Sequence, residues 1–333
     1  MDRMMRVGLW GCGSMGRSLV RALMATGDAE LVAACDLGPS AAEQVAEESG
    51  AEVVPSAPAL LDYADLDGVI IALPPDLHAT AVREAAAAGL DIFVEKPMST
   101  TIAGCQEMLE AVQRHGVQLM VGQVLRYYEP YRSIRRWLAE GCFGQLYAAS
   151  IWRVTDGHQA SSTHWRASRA RSGGYLLEVG VHELDMLRCL LGRPQSVCAV
   201  ARKVTSQERE WEDYIALQIR FAGGGAATYE GGSGSYVGRY GFRLYFQGAT
   251  LLSDAAFDRD ALRLYGPDGE PIDVPEPGFS STHPVEAELH DWLAALRGEA
   301  PIPIPGEEGM ASVALAEAAY RSAASGEVVS YKV

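Results

Sequence analysis

The residues Val7-Gly8-Leu9-Trp10-Gly11-Cys12-Gly13-Ser14-Met15-Gly16 join a short apolar run to a G-x-G-x-x-G motif near the start of the chain. Apolar side chains recur at helical spacing after the motif, and a second apolar run over residues 31–35 ends in Asp36. Strand, glycine turn, helix, strand and acidic residue within about 30 residues form the pattern of a dinucleotide-binding βαβ unit. The sequence therefore predicts a Rossmann fold that begins at the first strand.

The glycines of the motif have distinct physical roles. Gly11 permits the tight turn, Gly13 lets the backbone approach a pyrophosphate, and Gly16 lets the helix pack closely against the strand. The helix begins at Ser14-Met15, and its free N–H groups would bind the phosphates. A bare structural turn is the alternative interpretation, but it does not account for the strand, helix and acid that surround the motif.

Asp36 indicates which dinucleotide is bound. A carboxylate at this position accepts hydrogen bonds from the ribose hydroxyls, and its charge opposes a 2′-phosphate. No arginine follows it directly, because the next residues are Leu37-Gly38-Pro39. The sequence favours NAD, and NADP stays open because other residues could bind the extra phosphate.

The composition is that of an ordinary globular protein. The 333 residues carry a net charge of −15, which argues against nucleic acid or an anionic membrane as the main partner. No apolar run approaches the roughly 18 residues of a membrane span, and no signal peptide precedes the first strand. The six cysteines are scattered without a C-x-x-C pair, so we expect no metal site and a reducing, cytoplasmic location.

The sequence pattern changes near residue 124, and we place a domain boundary there. Before it, short apolar runs alternate with helical patterns, as in a doubly wound parallel sheet. After residue 145, β-like stretches separated by turns such as Gly223-Gly224-Gly225 indicate hairpins. We expect an α/β Rossmann domain over residues 1–124 and an α+β domain over residues 125–333 with a large, mainly antiparallel open sheet.

Two loops that follow apolar strands contain candidate ligand-binding residues. The run over residues 69–73 ends at Leu73-Pro74-Pro75, with His78 opening the next helix, and the strand over residues 91–94 ends in Glu95-Lys96-Pro97. Ligands of open α/β sheets bind beyond the carboxyl ends of the strands. A solvated lysine in a surface salt bridge is the alternative interpretation of Lys96.

A further candidate begins at Gly173-Gly174, where the pattern predicts a helix from Glu178 to Gly192. Such a helix places Glu178 and His182 one turn apart on one face, with Asp185 on the same side. A carboxylate and an imidazole so placed can transfer a proton. The alternative is a structural histidine, with Glu178 only complementing the helix dipole.

Taken in order, these motifs resemble those of the Gfo/Idh/MocA family, which includes glucose–fructose oxidoreductase and inositol dehydrogenase. The resemblance covers nearly the whole chain, and Glu95-Lys96-Pro97 after a Rossmann unit is its most specific part. It implies an NAD(P)-dependent dehydrogenase or reductase that acts on CH–OH groups. Hydride transfer would interconvert a secondary alcohol and a ketone of a sugar, cyclitol or sugar derivative.

The resemblance also implies roles for the matching residues. Lys96 would lie beside the nicotinamide and hydrogen-bond the reacting oxygen, and His182 would be the general acid and base. Glu178 stands where the family usually has aspartate, so the carboxylate is kept but its reach differs. Pro75 and His78 would line the nicotinamide side, and Asp36 would bind the adenosine ribose. The remaining cofactor-binding residues would be Leu73, Pro74 and Glu95 at the strand ends.

The substrate-binding residues are less sharply indicated. Arg126 and Tyr128 open the second domain, Trp165 and Arg166 precede the glycine pair, and Asp185 follows His182. A loop rich in hydrogen-bonding groups suits a polyhydroxylated ligand, although an ordinary solvated loop is the alternative. Its polar residues are Thr155, Asp156, His158, Gln159, Ser161, Ser162, Thr163, His164 and Arg166.

Two other functions stay open at this point. One is an NADP-dependent reductase of another carbonyl or imine. The other is a non-catalytic dinucleotide-binding regulator, which we would expect to lack the lysine or the histidine. For the dehydrogenase, the open sheet of the second domain, with one face not covered by helices in the sequence pattern, predicts a homodimer or homotetramer through that face.

Overall fold

The computed structural model describes residues 3–155, 165–204, 209–276, 278–279 and 282–333. The chain divides into two compact units. The first unit consists of Met1–Val124 and Thr282–Met310, and the second of Leu125–Ser281 and Ala311–Val333.

A six-stranded parallel sheet forms the centre of the first unit. Its order is β3-β2-β1-β4-β5-β6, which is the order of doubly wound dinucleotide-binding sheets. Strands β4 and β6 are buried along their whole length, as expected of a parallel sheet with covered faces. The strands are β1 (Met5–Trp10), β2 (Ala29–Cys35), β3 (Glu52–Val53), β4 (Gly68–Ile71), β5 (Asp91–Glu95) and β6 (Leu119–Gly122).

The helices of this sheet begin and end where the sequence supplies local signals. The first helix ends at Gly27 in the left-handed conformation, and the fifth begins after Thr101, whose hydroxyl accepts a hydrogen bond from the Gly104 amide. A 3₁₀ turn over Pro75–Leu77 leads directly into the fourth. The helices are α1 (Ser14–Thr26), α2 (Pro39–Ser49), α3 (Ala57–Leu61), α4 (His78–Ala87) and α5 (Ile102–His115).

A nine-stranded sheet forms the centre of the second unit, in the order β14-β13-β12-β11-β7-β10-β9-β8-β15. Among the described strands of this sheet, β7 and β10 pair in parallel and the other neighbours pair antiparallel, so the expectation of a large, mainly antiparallel sheet is confirmed. The strands are β7 (Leu146–Val154), β8 (Pro194–Arg202), β9 (Tyr214–Phe221), β10 (Ala226–Gly232), β11 (Arg239–Phe246), β12 (Thr250–Ser253), β13 (Arg263–Tyr265), β14 (Pro271–Ile272) and β15 (Val329–Ser330).

One face of this sheet is buried and the other is exposed. In β9 the side chains of Ile215, Leu217 and Ile219 are buried, whereas Gln218 and Arg220 are exposed. The remaining helices are α6 (Glu129–Ala139), α7 (Arg169–Ser172), α8 (Tyr175–Glu178), α9 (Val181–Leu191), α10 (Pro284–Leu296) and α11 (Gly306–Ser325). Helix α9 packs against β7 and β10 on the buried face.

The helix predicted from Glu178 to Gly192 is in fact two helices. Helix α8 ends at Glu178, and α9 begins at Val181, with Val179 (φ −118°, ψ −54°) and Gly180 between the two helices. The backbone passes close to the sheet at Gly180, where a Cβ atom would lie 3.0 Å from the Tyr229 hydroxyl. Tertiary packing therefore decides this break, and helical periodicity alone does not show it.

Residues 282–310 belong to the first unit, although the sequence analysis places them in the second domain. They do so because α10 packs against α1 and the Ile304 carbonyl accepts a hydrogen bond from the Val121 amide. The buried Trp292 ring contacts Phe93 of β5 edge-on, with 5.7 Å between centroids. Such a returning segment has no local sequence signal.

Candidate active site

The glycine motif forms a tight loop between β1 and α1. The Gly11 amide donates to the Cys35 carbonyl at 2.9 Å, and Gly11 has φ +103°, where a Cβ would lie 2.6 Å from the Ala72 carbonyl oxygen. A Cβ on Gly16 would overlap the Gly11 carbonyl oxygen. Both positions therefore require glycine, as the sequence predicts.

Gly13 is different, because no described residue other than its two chain neighbours has an atom within 4 Å of the place where its Cβ would be. It occupies the N-cap position of α1 without a side-chain cap, and Gly13, Ser14 and Met15 are all exposed. No acidic residue stands in the first turn. The first N–H groups of α1 are thus open to an anion, and the cradle fits a pyrophosphate.

Asp36 fixes the neighbouring backbone with both carboxylate oxygens. Its Oδ2 accepts a hydrogen bond from the Cys12 amide, and its Oδ1 accepts one from the Gly38 amide, each at 2.7 Å. Every carboxylate oxygen can accept a second hydrogen bond. The side chain is half-buried, so it combines a fixed position with the capacity to bind ribose hydroxyls.

His78 connects the loop after β4 to the loop after β5. It is fully buried, with Nδ1 2.9 Å from the Pro97 carbonyl oxygen and Nε2 2.9 Å from the Leu73 carbonyl oxygen. Burial lowers the pKa of this imidazole. His78 therefore holds two loops together and does not line the nicotinamide side, contrary to the expectation from the sequence. Pro75 is buried beside it, whereas Leu73 and Pro74 are half-buried.

Lys96 follows the carboxyl end of β5 directly. Its amide donates to the buried Glu95 carboxylate at 3.0 Å, and its side chain is half-buried. Trp10 pairs with Ile71, and Ile71 pairs with Val94, so β1, β4 and β5 end side by side at one sheet edge. The fold therefore brings the glycine cradle, the Leu73–Pro75 loop and Lys96 together.

In the second unit, the break between α8 and α9 separates Glu178 from His182. Glu178 accepts a hydrogen bond at 2.6 Å from Arg166 Nε, and its side chain is 12% exposed. His182 is half-buried in the first turn of α9. Arg166 also lies over the Trp165 ring, 4.3 Å from its centroid, and its carbonyl accepts a hydrogen bond from the Trp211 indole. These residues form a polar group around the break.

Arg126 and Asp185 do not have the geometry of substrate-binding residues. They form a bidentate ion pair with two 2.7 Å hydrogen bonds, and Asp185 is completely buried. Ser312 of α11 donates to the same carboxylate at 3.2 Å, and Arg188 lies 3.6 Å from it. The pair instead joins the segment before α6 to α9. The substrate-binding role predicted for Arg126 and Asp185 is therefore wrong. The ion pair also removes Asp185 as a proton-transfer candidate.

Tyr128 precedes α6 and remains half-buried. Its ring stacks on Phe257 with 4.4 Å between centroids, and Phe257 in turn contacts Tyr240 edge-on at 4.8 Å. Phe257 is 45% exposed. These three rings form an aromatic surface, of which only Tyr128 was predicted from the sequence.

The polar loop of the sequence analysis lies mostly outside the described residues. This applies to Asp156, His158, Gln159, Ser161, Ser162, Thr163 and His164. Thr155 is described, and its amide donates to the Gly232 carbonyl at 2.9 Å. Within the described ranges no His, Cys, Asp or Glu cluster could hold a metal ion, and no helix has the length and apolar character needed to cross a membrane.

One charged group that sequence reasoning missed is Glu183, which follows His182. It is completely buried, and its Oε1 accepts hydrogen bonds from Arg153 at 3.0 Å and from Tyr240 at 2.6 Å. The available signal was a charge in the apolar stripe of α9, one turn before the buried Leu187.

Comparison with known proteins agrees with this geometry. Residues 5–123 match the oxidoreductase family with an NAD-binding Rossmann fold, and residues 135–331 match the C-terminal alpha/beta domain of the same family. The chain belongs to the Gfo/Idh/MocA oxidoreductase family. The resemblance inferred from the motifs is therefore confirmed, together with the α/β fold class and the NAD-binding domain.

Relatives of this oxidoreductase align along almost the whole chain. Inositol 2-dehydrogenase of Rhizobium meliloti (strain 1021) is 31% identical over 96% of this chain and 97% of its own length. A solved structure of a putative myo-inositol dehydrogenase from Sinorhizobium meliloti 1021 superposes with a TM-score of 0.84 at 28% identity, covering 99% of this chain and 100% of the other. The WlbA dehydrogenase of Bordetella pertussis, with a TM-score of 0.88 at 24% identity over 100% and 99% of the two chains, shares the fold.

Substitution of the motif glycines separates nucleotide binding from folding. We expect Gly13→Ala to keep the stability of the wild type but to weaken NADH binding by roughly tenfold or more, because the methyl group enters the pyrophosphate cradle. Gly16→Ala should destabilise the protein, since its methyl group overlaps the Gly11 carbonyl. Isothermal titration and urea unfolding measure the two effects, and equal NADH affinity in Gly13→Ala and wild type would contradict the cradle.

Replacing Asp185 tests whether its role is structural. Asp185→Asn leaves the buried Arg126 guanidinium without its counter-charge and should lower the free energy of unfolding by about 3 kcal/mol or more. Asp254→Asn, which breaks an exposed pair with Arg239 in the same unit, is the matched control and should change it little. Urea unfolding followed by circular dichroism gives both values. Wild-type stability with a raised KM for the substrate would restore the substrate-binding role.

Proposed function

We propose that this oxidoreductase uses NAD to interconvert a secondary alcohol and a ketone of a sugar, cyclitol or sugar derivative. The observation that carries the proposal is the single sheet edge at which the open Gly13 cradle, the fixed Asp36 and Lys96 occur together. Relatives named as inositol 2-dehydrogenase and 1,5-anhydro-D-fructose reductase support the substrate class. The second unit would bind the substrate.

The preference for NAD rests on Asp36. Its carboxylate is held in place by two amides, so it cannot turn away from a 2′-phosphate without losing both hydrogen bonds. Arg17, the first basic residue of the motif helix, donates to Gln44 at 2.8 Å. NADP would therefore bring a phosphate towards a fixed negative charge, which costs binding free energy.

The nicotinamide ring accepts or donates the hydride when it is bound. The Lys96 ammonium hydrogen-bonds the reacting oxygen and stabilises negative charge that develops on it. His182 removes the proton from the carbinol hydroxyl during oxidation and returns it during reduction, since an imidazole titrates near neutral pH. Leu73 and Pro74 complete the nicotinamide side.

Glu178 replaces the usual aspartate of the family, and Arg166 compensates for its longer side chain. The 2.6 Å bond from Arg166 fixes the carboxylate, while the Trp211 indole fixes the Arg166 backbone. A carboxylate fixed in this way stabilises the imidazolium form of His182 or binds a substrate hydroxyl. Trp165, which stacks on Arg166, supports the same arrangement.

The exposed face of the nine-stranded sheet is the proposed contact between copies of the chain in a homodimer or homotetramer. Tyr147, Tyr214 and Val200 are exposed on this unit at 50%, 39% and 50% respectively. Tyrosine and arginine are enriched in protein interfaces, and Arg220 and Arg243 are exposed on the same sheet. We place the enzyme in the cytoplasm because its six cysteines are scattered along the sequence without a C-x-x-C pair.

The function is tested by the absorbance of the reduced nicotinamide at 340 nm with a panel of cyclitols and sugars. Lys96→Ala and His182→Ala should each lower kcat about 10²- to 10⁴-fold while NADH still binds. Lys203→Ala and His290→Ala remove the same residue types at exposed positions and should keep wild-type activity. NAD should support faster turnover than NADP.

Two outcomes would contradict this proposal. Tight NADH binding without turnover of any alcohol or ketone by the wild type would indicate a dinucleotide-binding regulator. Full activity in His182→Ala on a good substrate would show that another group transfers the proton, and Glu178 would then be examined first.

A further inference from the structure

We infer that Arg153, Glu183 and Tyr240 form a buried clamp that positions His182 for proton transfer. The inference rests on the proposed function, because it concerns the geometry of the proposed acid and base. These three residues lie on three elements of the second unit, namely β7, α9 and β11. None of them is part of the motifs by which the family was identified.

The clamp holds the chain on both sides of His182. Arg153 Nη1 donates to the Glu183 carboxylate at 3.0 Å and to the Val179 carbonyl oxygen at 3.5 Å. Val179 lies three residues before His182, in the break between α8 and α9, and Glu183 follows His182 directly. One guanidinium group therefore spans the segment that carries the imidazole.

The two donors to Glu183 are themselves fixed by the sheet. Arg153 and Tyr240 are cross-strand partners in the pairing of β7 with β11, and the Arg153 guanidinium lies over the Tyr240 ring, 5.0 Å from its centroid. The Tyr175 hydroxyl donates to the Arg153 carbonyl at 2.7 Å. The first turn of α9 is thus attached to the centre of a rigid sheet by side chains in set positions.

The charge states support these contacts. Burial lowers the pKa of Arg153, but the Glu183 charge together with Tyr240, Tyr229 and Tyr175 raises it above its ordinary value, so the guanidinium stays protonated. Burial and the same carboxylate raise the pKa of the Tyr240 phenol well above its ordinary value, so the hydroxyl remains a donor.

Stability alone does not explain why this carboxylate is buried. Glu183 Oε2 is buried and has no hydrogen-bond partner among the described residues, and such an oxygen costs free energy. A buried ion pair is often no more stabilising than apolar side chains of similar volume. The clamp instead gives the turn that contains His182 one defined position relative to β7 and β11.

The first test measures geometry without catalysis. Amide hydrogen exchange of residues 181–184 should accelerate by roughly tenfold or more in Glu183→Gln, which removes the charge but keeps the shape. Tyr240→Phe, which loses only the hydroxyl, provides a milder second variant with a smaller increase. Asp254→Asn breaks an exposed carboxylate–arginine pair between β11 and the end of β12 and should leave this exchange unchanged. Wild-type exchange in both clamp variants would overturn the inference.

The second test measures whether the clamp acts through His182. In the wild-type background Glu183→Gln should lower kcat about 10- to 100-fold, with the KM for NAD unchanged, because the base is misplaced. In the His182→Ala background the same substitution should cost less than about twofold, since the residue that it positions is already absent. If the kcat losses of the two single variants multiply in the double variant, Glu183 acts independently of His182 and serves only stability. That result would overturn the inference.

These outcomes are separate from a failure of the proposed function. That failure appears in the wild type, as an absence of turnover, whereas failure of the clamp appears only in the variants. If the wild type lacks turnover, the exchange measurement still decides whether Arg153, Glu183 and Tyr240 hold the turn.

Discussion

The close approach of α1 to β1 at the glycine motif is the constraint on which the first unit depends. Because Gly16 has no Cβ, the helix can start against the Gly11 carbonyl, and its first N–H groups are left open at Gly13. Asp36 then fixes the loop through the Cys12 amide. The His78 side chain joins the loops that follow β4 and β5. The position of Lys96 therefore depends on these two contacts and on the pairing of β1, β4 and β5.

In the second unit, side-chain ion pairs hold the break between α8 and α9 next to the nine-stranded sheet. Such pairs near the break and along α9 join Arg166 with Glu178, Arg153 with Glu183, and Arg126 with Asp185. Each arginine lies on a different segment from its acid. The half-buried His182 lies within this framework, so its orientation depends on groups far apart in the sequence.

Local patterns were sufficient to predict the βαβ unit, the strand ends and the family, because glycine turns, apolar runs and Glu95-Lys96-Pro97 are contiguous in sequence. They were insufficient where packing decides. The break at Val179 depends on how closely Gly180 approaches Tyr229, and the burial of Asp185 depends on Arg126, 59 residues away. A carboxylate three residues after His182 has the same spacing whether it binds a substrate or an arginine.

In the reaction proposed for this enzyme, hydride passes directly between a carbinol carbon and nicotinamide. The most direct measurement uses a polyol that the enzyme oxidises, labelled with deuterium at the reacting carbon, and mass spectrometry of the NADH that is formed. Direct hydride transfer predicts one deuterium in each NADH molecule and a slower reaction with the labelled polyol. NADH without deuterium, or no NADH from any polyol, would contradict it.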